Sequence, residues 1–138
     1  MEAALLKYLI AYLATAVVFF AIDFVWLTRA VGFYRGEIGG LLLDEPKLGY
    51  AAGFYLLYVV GVVVLVVMPA VTGGSWVQAL LMGALLGLVA YGTYDMTNLA
   101  TLKGYTLRVA LVDMGWGTFL TAVSATAGYF VTQWLSPS

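Results

Sequence analysis

Four long apolar runs dominate the chain, and polar residues are concentrated in the stretches between them. The runs cover residues 6–27, 50–68, 76–96 and 109–134. A helix needs about 20 predominantly apolar residues to cross a bilayer, and each run is about that long. The apolar positions are continuous rather than alternating, which argues against a β-barrel. The pattern predicts an all-α fold in which residues 1–138 form a single transmembrane domain, a bundle of four transmembrane helices.

The composition supports a membrane protein. Of the 138 residues, 64% are hydrophobic and 9% are charged, whereas soluble domains carry about a quarter charged residues. A soluble fold this apolar would expose large hydrophobic patches to water. We therefore expect the lipid bilayer as the main partner, and no nucleic acid, because the chain has no basic patch.

Basic residues are distributed unequally between the two ends of the predicted helices. One end carries only Lys7. The connections at the other end contain five basic residues: Arg29, Arg35, Lys47, Lys103 and Arg108. Loops rich in lysine and arginine face the cytoplasm, so both termini are predicted on the outer side.

The first connection, residues 29–47, is long and contains apolar side chains such as Phe33 and Ile38. Two interpretations fit it equally well. It is either a short helix lying in the membrane interface on the cytoplasmic side or a partly ordered linker.

Three aspartates interrupt the apolar runs: Asp23 in the first, Asp95 in the third and Asp113 in the fourth. Counted from the nearest basic residue at 1.5 Å per residue, all three lie roughly 7–12 Å inward from the cytoplasmic edge. A charged side chain at the membrane centre costs about 2.5–3.5 kcal/mol, and less near the interface. We therefore expect the three to face the bundle interior, water or each other, with at least one holding a proton.

Helical spacing predicts which residues accompany the aspartates. The predicted ligand- or proton-binding residues are Asp23, Asp95, Asn98 and Asp113. The predicted pocket-lining residues are Trp26, Tyr55, Tyr58, Tyr91, Thr97, Trp116 and Ser124. The predicted headgroup or anion contacts are Arg29, Lys103 and Arg108. The structural alternative is that the aspartates cap helix ends or pair with these three bases.

The residue types limit the cofactors. The chain has no cysteine and no histidine, so a thiolate-bound metal and a histidine-ligated haem are excluded. Carboxylate and amide oxygens suit a divalent cation such as Mg²⁺, which leaves the cofactor open.

Two further patterns concern packing. The segment from Gly83 to Gly87 fits the small-xxx-small motif of close helix contacts, within one chain or between two. Since four short helices make a thin bundle, we expect a homo-oligomer. The valine-rich run of the second span is expected to face lipid.

Several stretches resemble one family. They are KYLIAYLATAVVFFAIDFVWL, FYLLYVVG, YGTYDMTNLATLKGY and VDMGWGTFLTAVSATAGY. Together they resemble the small bacterial membrane proteins of the domain-of-unknown-function 2177 family, over nearly the whole chain. The resemblance implies a four-helix, multi-pass protein of the bacterial cell inner membrane, with its outer side facing the periplasm. It implies no activity.

Three functions fit these residues. The first is proton- or cation-linked transport, or small-ligand binding, at an acidic intramembrane site near the cytoplasmic leaflet, because intramembrane acids mark such pathways. The second is a membrane-embedded enzyme acting on a lipid or prenyl substrate, with an aspartate-bound cation or a protonated carboxyl as the reactive group. The third is an accessory subunit of a membrane complex. Whether the chain is an enzyme is left open.

Overall fold

The computed structural model describes residues 1–136, and within that range the regular structure is entirely helical. The elements are α1 (Glu2–Ile38), a 3₁₀ turn (Gly39–Leu41), α2 (Leu48–Val62), a π-helical segment (Val63–Val67), α3 (Met68–Gly73), α4 (Trp76–Thr101) and α5 (Leu107–Leu135). Together they provide four units that are long and apolar enough to cross a membrane: Glu2–Leu41, Leu48–Gly73, Trp76–Thr101 and Leu107–Leu135. The predicted four-helix membrane fold is confirmed.

Helix α1 extends well beyond the predicted first span. Its 37 residues make it about 55 Å long, whereas the hydrocarbon core is about 30 Å thick. The helix continues because the segment after residue 27 contains no proline, and it ends where the paired glycines Gly39 and Gly40 lower helix propensity. Residues 29–38 are therefore a continuation of α1 rather than a separate helix.

The extension of α1 is tied to the start of α5. The Thr106 hydroxyl donates to Glu37 Oε1 at 3.1 Å, and it also accepts a hydrogen bond from the backbone N–H of Val109 as the N-cap of α5. The Arg108 guanidinium lies 5.9 Å from the centre of the Phe33 ring, within cation–π range. These contacts fix the end of α1 against the first turn of α5.

The expectation that the valine-rich run faces lipid is wrong for one face of that run, while Val60, Val64 and Leu65 on the other face are exposed. Val59, Val62, Val63, Val66 and Val67 are buried in the core. The π-helical segment lies within this run and ends just before Pro69. Proline lacks an N–H and clashes with the carbonyl four residues earlier, and a π-helical turn accommodates that break. Valine surrounds the helix on all sides here, so composition did not reveal the buried face.

Helix α5 is the centre of the bundle and packs most extensively against α4, then against α1. The glycines of the small-xxx-small motif make the α4–α5 contact possible. A Cβ atom on Gly83 would meet Ala122 Cα at 3.0 Å, and one on Gly87 would collide with the carbonyl of Gly117. The motif is therefore used inside one chain, and a homo-oligomer stays a prediction without its support.

Helix α2 packs against the rest of the bundle mainly through its C-terminal half, where Val59 and Val62 are buried. It contacts α1 and the π-helical segment, and its contacts with α4 are few. Residues 48–54 are all exposed. The first turns of α2 therefore stand apart from α4, and a gap between the two helices is left on the side of the bundle where Asp95 and Asp113 lie.

The close approach of α4 and α5 predicts that Gly87→Ala destabilises the protein by about 1–3 kcal/mol, because the added methyl overlaps backbone atoms of α5. The matched control is Gly61→Ala, since a Cβ there meets nothing within 4 Å. Thermal unfolding in detergent, followed by circular dichroism, measures the difference. Equal melting temperatures for both variants would contradict the described packing.

The orientation of the termini remains a prediction from the distribution of charges. The chain has no cysteine, so single cysteines can report it. In bacterial spheroplasts we expect an impermeant maleimide to label Thr72→Cys, between the second and third spans, and to spare Glu45→Cys until the membrane is permeabilised. The reverse pattern would place both termini in the cytoplasm.

Candidate functional site

The α4–α5 hairpin positions the first carboxylate. Gly104 has a φ of 82°, a left-handed conformation that glycine adopts without steric cost, and the turn directs Tyr105 back toward α4. The Tyr105 hydroxyl donates to Asp95 Oδ1 at 2.5 Å. Burial, and then the bond to Asp95, raise the pKa of the Tyr105 phenol, so the phenol stays a proton donor at neutral pH.

Asp95 and Asp113 form a carboxyl pair across the α4–α5 contact. Asp95 is fully buried, and its carboxyl group lies within hydrogen-bonding reach of Asp113. Among residues 1–136, no donor reaches Asp95 Oδ2. Ionised carboxylates only accept hydrogen bonds, so two of them facing each other need a proton or a cation between them.

Asp23, on α1, accepts its hydrogen bond from a different kind of donor, a tryptophan on α5. It is 4% exposed, and its Oδ1 accepts a hydrogen bond from the Trp116 indole N–H at 3.0 Å. The Trp116 ring is stacked on Trp26, with centroids 4.4 Å apart and planes 7° from parallel. Since both rings are large and rigid, the stack fixes the direction of the indole N–H.

The second indole continues this chain of contacts toward the carboxyl pair. Trp26 donates from Nε1 to the Tyr34 hydroxyl at 3.3 Å, and Tyr34 donates to Asp113 Oδ1 at 2.7 Å. Asp23 also lies within electrostatic reach of Asp113. The structure therefore brings the three aspartates into one polar cluster, in which each accepts a hydrogen bond from an aromatic side chain.

A cavity of about 390 Å³ lies between α2 and α4 beside this cluster. Its lining residues are Ala51, Phe54, Tyr55, Tyr58, Ala90, Tyr91, Tyr94 and Asp113. The Tyr58 hydroxyl is hydrogen-bonded to Thr121 Oγ1 at 2.9 Å. The Tyr91 hydroxyl is buried and lies near Tyr55 without a well-directed hydrogen bond within residues 1–136. The cavity wall thus combines four tyrosine side chains with one carboxyl group.

Of the remaining predicted site residues, some lie near the aspartates and others lie elsewhere in the bundle. Asn98 lies within hydrogen-bonding reach of Tyr94 and Tyr105, so it supports the group around Asp95. Thr97 is exposed. Ser124 is fully buried, three turns along α5 from Asp113. Trp116 donates to Asp23 and Trp26 donates to Tyr34, and neither ring is part of the cavity lining.

The three predicted headgroup contacts, Arg29, Lys103 and Arg108, are all exposed. The hydrogen bonds to the aspartates come from tryptophan and tyrosine side chains, and not from these three bases as the structural alternative had it. Within residues 1–136, no three acidic side chains are grouped so that they could hold a metal ion together. The arrangement is therefore that of a carboxyl pair with one further carboxylate nearby.

A protein-family comparison matches residues 8–130 to a family described as predicted membrane protein, DUF2177. The chain belongs to the DUF2177 family. No curated protein and no solved structure matches it. The DUF2177 match includes all three aspartates, the cavity and the stacked tryptophans, so these features lie in the part of the chain that defines its membership.

The two phenol donors to the carboxyl pair of this DUF2177 protein, Tyr34 and Tyr105, were not among the site residues predicted from the sequence. Tyr34 follows Trp26 by two helical turns and so shares its face, but this relation appears only if α1 continues into the first connection. Tyr105 reaches Asp95 through the turn at Gly104, which has no helical periodicity. The signal available for both was that a phenol near a membrane interface needs a polar partner.

The Trp116–Asp23 bond predicts a stability effect. Trp116→Phe keeps an aromatic ring but leaves a buried carboxylate without its indole donor, which costs about 1–3 kcal/mol. Trp134→Phe is the matched control, because Trp134 lies on the same helix and is 76% exposed. Thermal melting in detergent compares the two variants, and a control that melts as low as Trp116→Phe would contradict the role of the bond.

Proposed function

We propose that this protein is a small transporter in which the Asp95–Asp113 pair binds a proton or a cation on its way across the membrane. The single observation that carries the proposal is that the buried Oδ2 atom of Asp95 has no donor within residues 1–136, although this carboxyl group lies within hydrogen-bonding reach of a second one, Asp113. A proton or a cation supplies what that oxygen lacks.

The location of the pair supports transport rather than a purely structural role. Asp95 and Asp113 lie on different helices, so the affinity for a ligand bound between them depends on how α4 and α5 pack. Asp113 also lines the cavity, which gives the pair a route to the side of the bundle. Ionisable residues inside membrane proteins characteristically mark ion pathways.

The proposal includes the orientation expected from the charges. The pair is placed toward the cytoplasmic side of a bacterial inner membrane, with both termini in the periplasm. In this orientation Tyr105 and Tyr34, the donors to the pair, lie on its cytoplasmic side, close to the connections that reach water. A proton arriving from the cytoplasm would meet these phenols before the carboxylates.

Asp95→Asn and Asp113→Asn test the proposal in proteoliposomes. An amide keeps the size of the carboxyl group but cannot take up a proton or balance a cation. We expect each substitution to lower proton or monovalent-cation flux at least about tenfold, which corresponds to about 1.4 kcal/mol. Flux is measured with an internal pH-sensitive dye under an imposed gradient, and with each cation in turn.

The matched control is Asp44→Asn, which removes an exposed carboxylate from the connection before α2 and should leave flux unchanged. Circular dichroism confirms that each variant is folded. Flux that survives in both Asp95→Asn and Asp113→Asn would rule out the pair as the transport site.

A further inference from the structure

We propose that the cavity between α2 and α4 binds an organic cation, an ammonium or phosphonium group carried on an apolar body, which enters sideways from the bilayer. This inference rests on the proposed function, because it names the substrate class of the same site. The aromatic lining of the cavity, its charge and its position between α2 and α4 support it.

Aromatic rings form most of the cavity wall. They are Phe54 and Tyr55 from the first half of α2, Tyr58 one turn further along, and Tyr91 and Tyr94 from α4. The face of an aromatic ring is electronegative and attracts a cation, and several rings around one cavity form the type of cage that recognises quaternary ammonium groups. The phenol hydroxyls add acceptors for an ammonium N–H.

The charge of the cavity favours a cation over an anion. Asp113 is the charged residue among those that line it, and none of the lining residues that the structure describes is basic. Asp95 lies within hydrogen-bonding reach of Asp113, and within residues 1–136 its Oδ2 atom has no donor. A cation in the cavity and a proton on the carboxyl pair would balance the same negative charge, so binding one disfavours the other.

Access from the bilayer favours an apolar body on the cation. Phe54 is 61% exposed and Tyr94 is 59% exposed, so rings on both α2 and α4 stand at the rim of the cavity. The gap between these helices opens toward lipid because the first turns of α2 have few contacts with α4. A volume of about 390 Å³ lies within the range of small-molecule pockets.

Binding of tetraphenylphosphonium to the full chain in maltoside micelles tests the inference without any transport step. We expect saturable binding by equilibrium dialysis, weakened at least about tenfold in Asp113→Asn and about fivefold to thirtyfold in Phe54→Leu, the range expected for a lost cation–π contact. Phe54→Tyr keeps a ring and should lose less affinity. Phe24→Leu is the matched control, since Phe24 is 68% exposed on α1, away from the cavity.

Triphenylphosphine oxide, which has a similar shape and no charge, should compete poorly. Adding lipid to the micelles distinguishes two sources of the natural ligand, a lipid headgroup and a free organic cation. Competition by phosphatidylethanolamine but not by phosphatidylglycerol identifies a lipid ammonium headgroup, and no competition by either identifies a free organic cation.

The inference is overturned if tetraphenylphosphonium binds Asp113→Asn as well as the unchanged chain, if triphenylphosphine oxide competes equally, or if no saturable binding occurs. These outcomes are separate from failure of the proposed function, which is measured as flux of protons or inorganic cations without any organic ligand. Retained flux with no tetraphenylphosphonium binding would reject the organic cation alone.

Discussion

A carboxylate buried in a membrane protein must find hydrogen-bond donors or another charge, and one end of this bundle is organised around that requirement. Asp23 takes its donor from an indole, while Asp95 and Asp113 take theirs from phenols. Each such bond to a charged group is worth about 1.5–3 kcal/mol. Tryptophan and tyrosine suit this role because they bury a large apolar ring and present one polar group. A lysine or arginine here would bring a further charge into the membrane.

The requirement also explains why α1 is so long. Tyr34 reaches Asp113 only because α1 continues to Ile38, and the Glu37–Thr106 bond holds that extension against the first turn of α5. The stacked pair of Trp26 and Trp116 then links the extension to Asp23. The network thus joins α1 to the α4–α5 hairpin at the end of the bundle where α2 is loosely attached.

Packing in the bundle is uneven, and the unevenness creates the cavity. Gly83 and Gly87 allow α4 and α5 to approach backbone to backbone, while the valines near the π-helical segment hold the second span against the core. The first turns of α2 have no comparable contact. Tight packing on one side and a gap on the other leave Asp113 in the lining of a cavity between α2 and α4.

The sequence by itself determined the class of fold and the presence of three aspartates within its apolar segments. Apolar runs of bilayer length admit few other structures, because the backbone in lipid must satisfy its own hydrogen bonds. Aspartates in such runs are costly enough to indicate a polar interior. Tertiary structure alone decided which acids form a pair, which aromatic groups serve them and which face of the valine-rich run is buried. These depend on helix rotation, on the course of α1 past its predicted end and on the turn at Gly104, and an almost uniformly apolar helix carries no periodic signal for any of them.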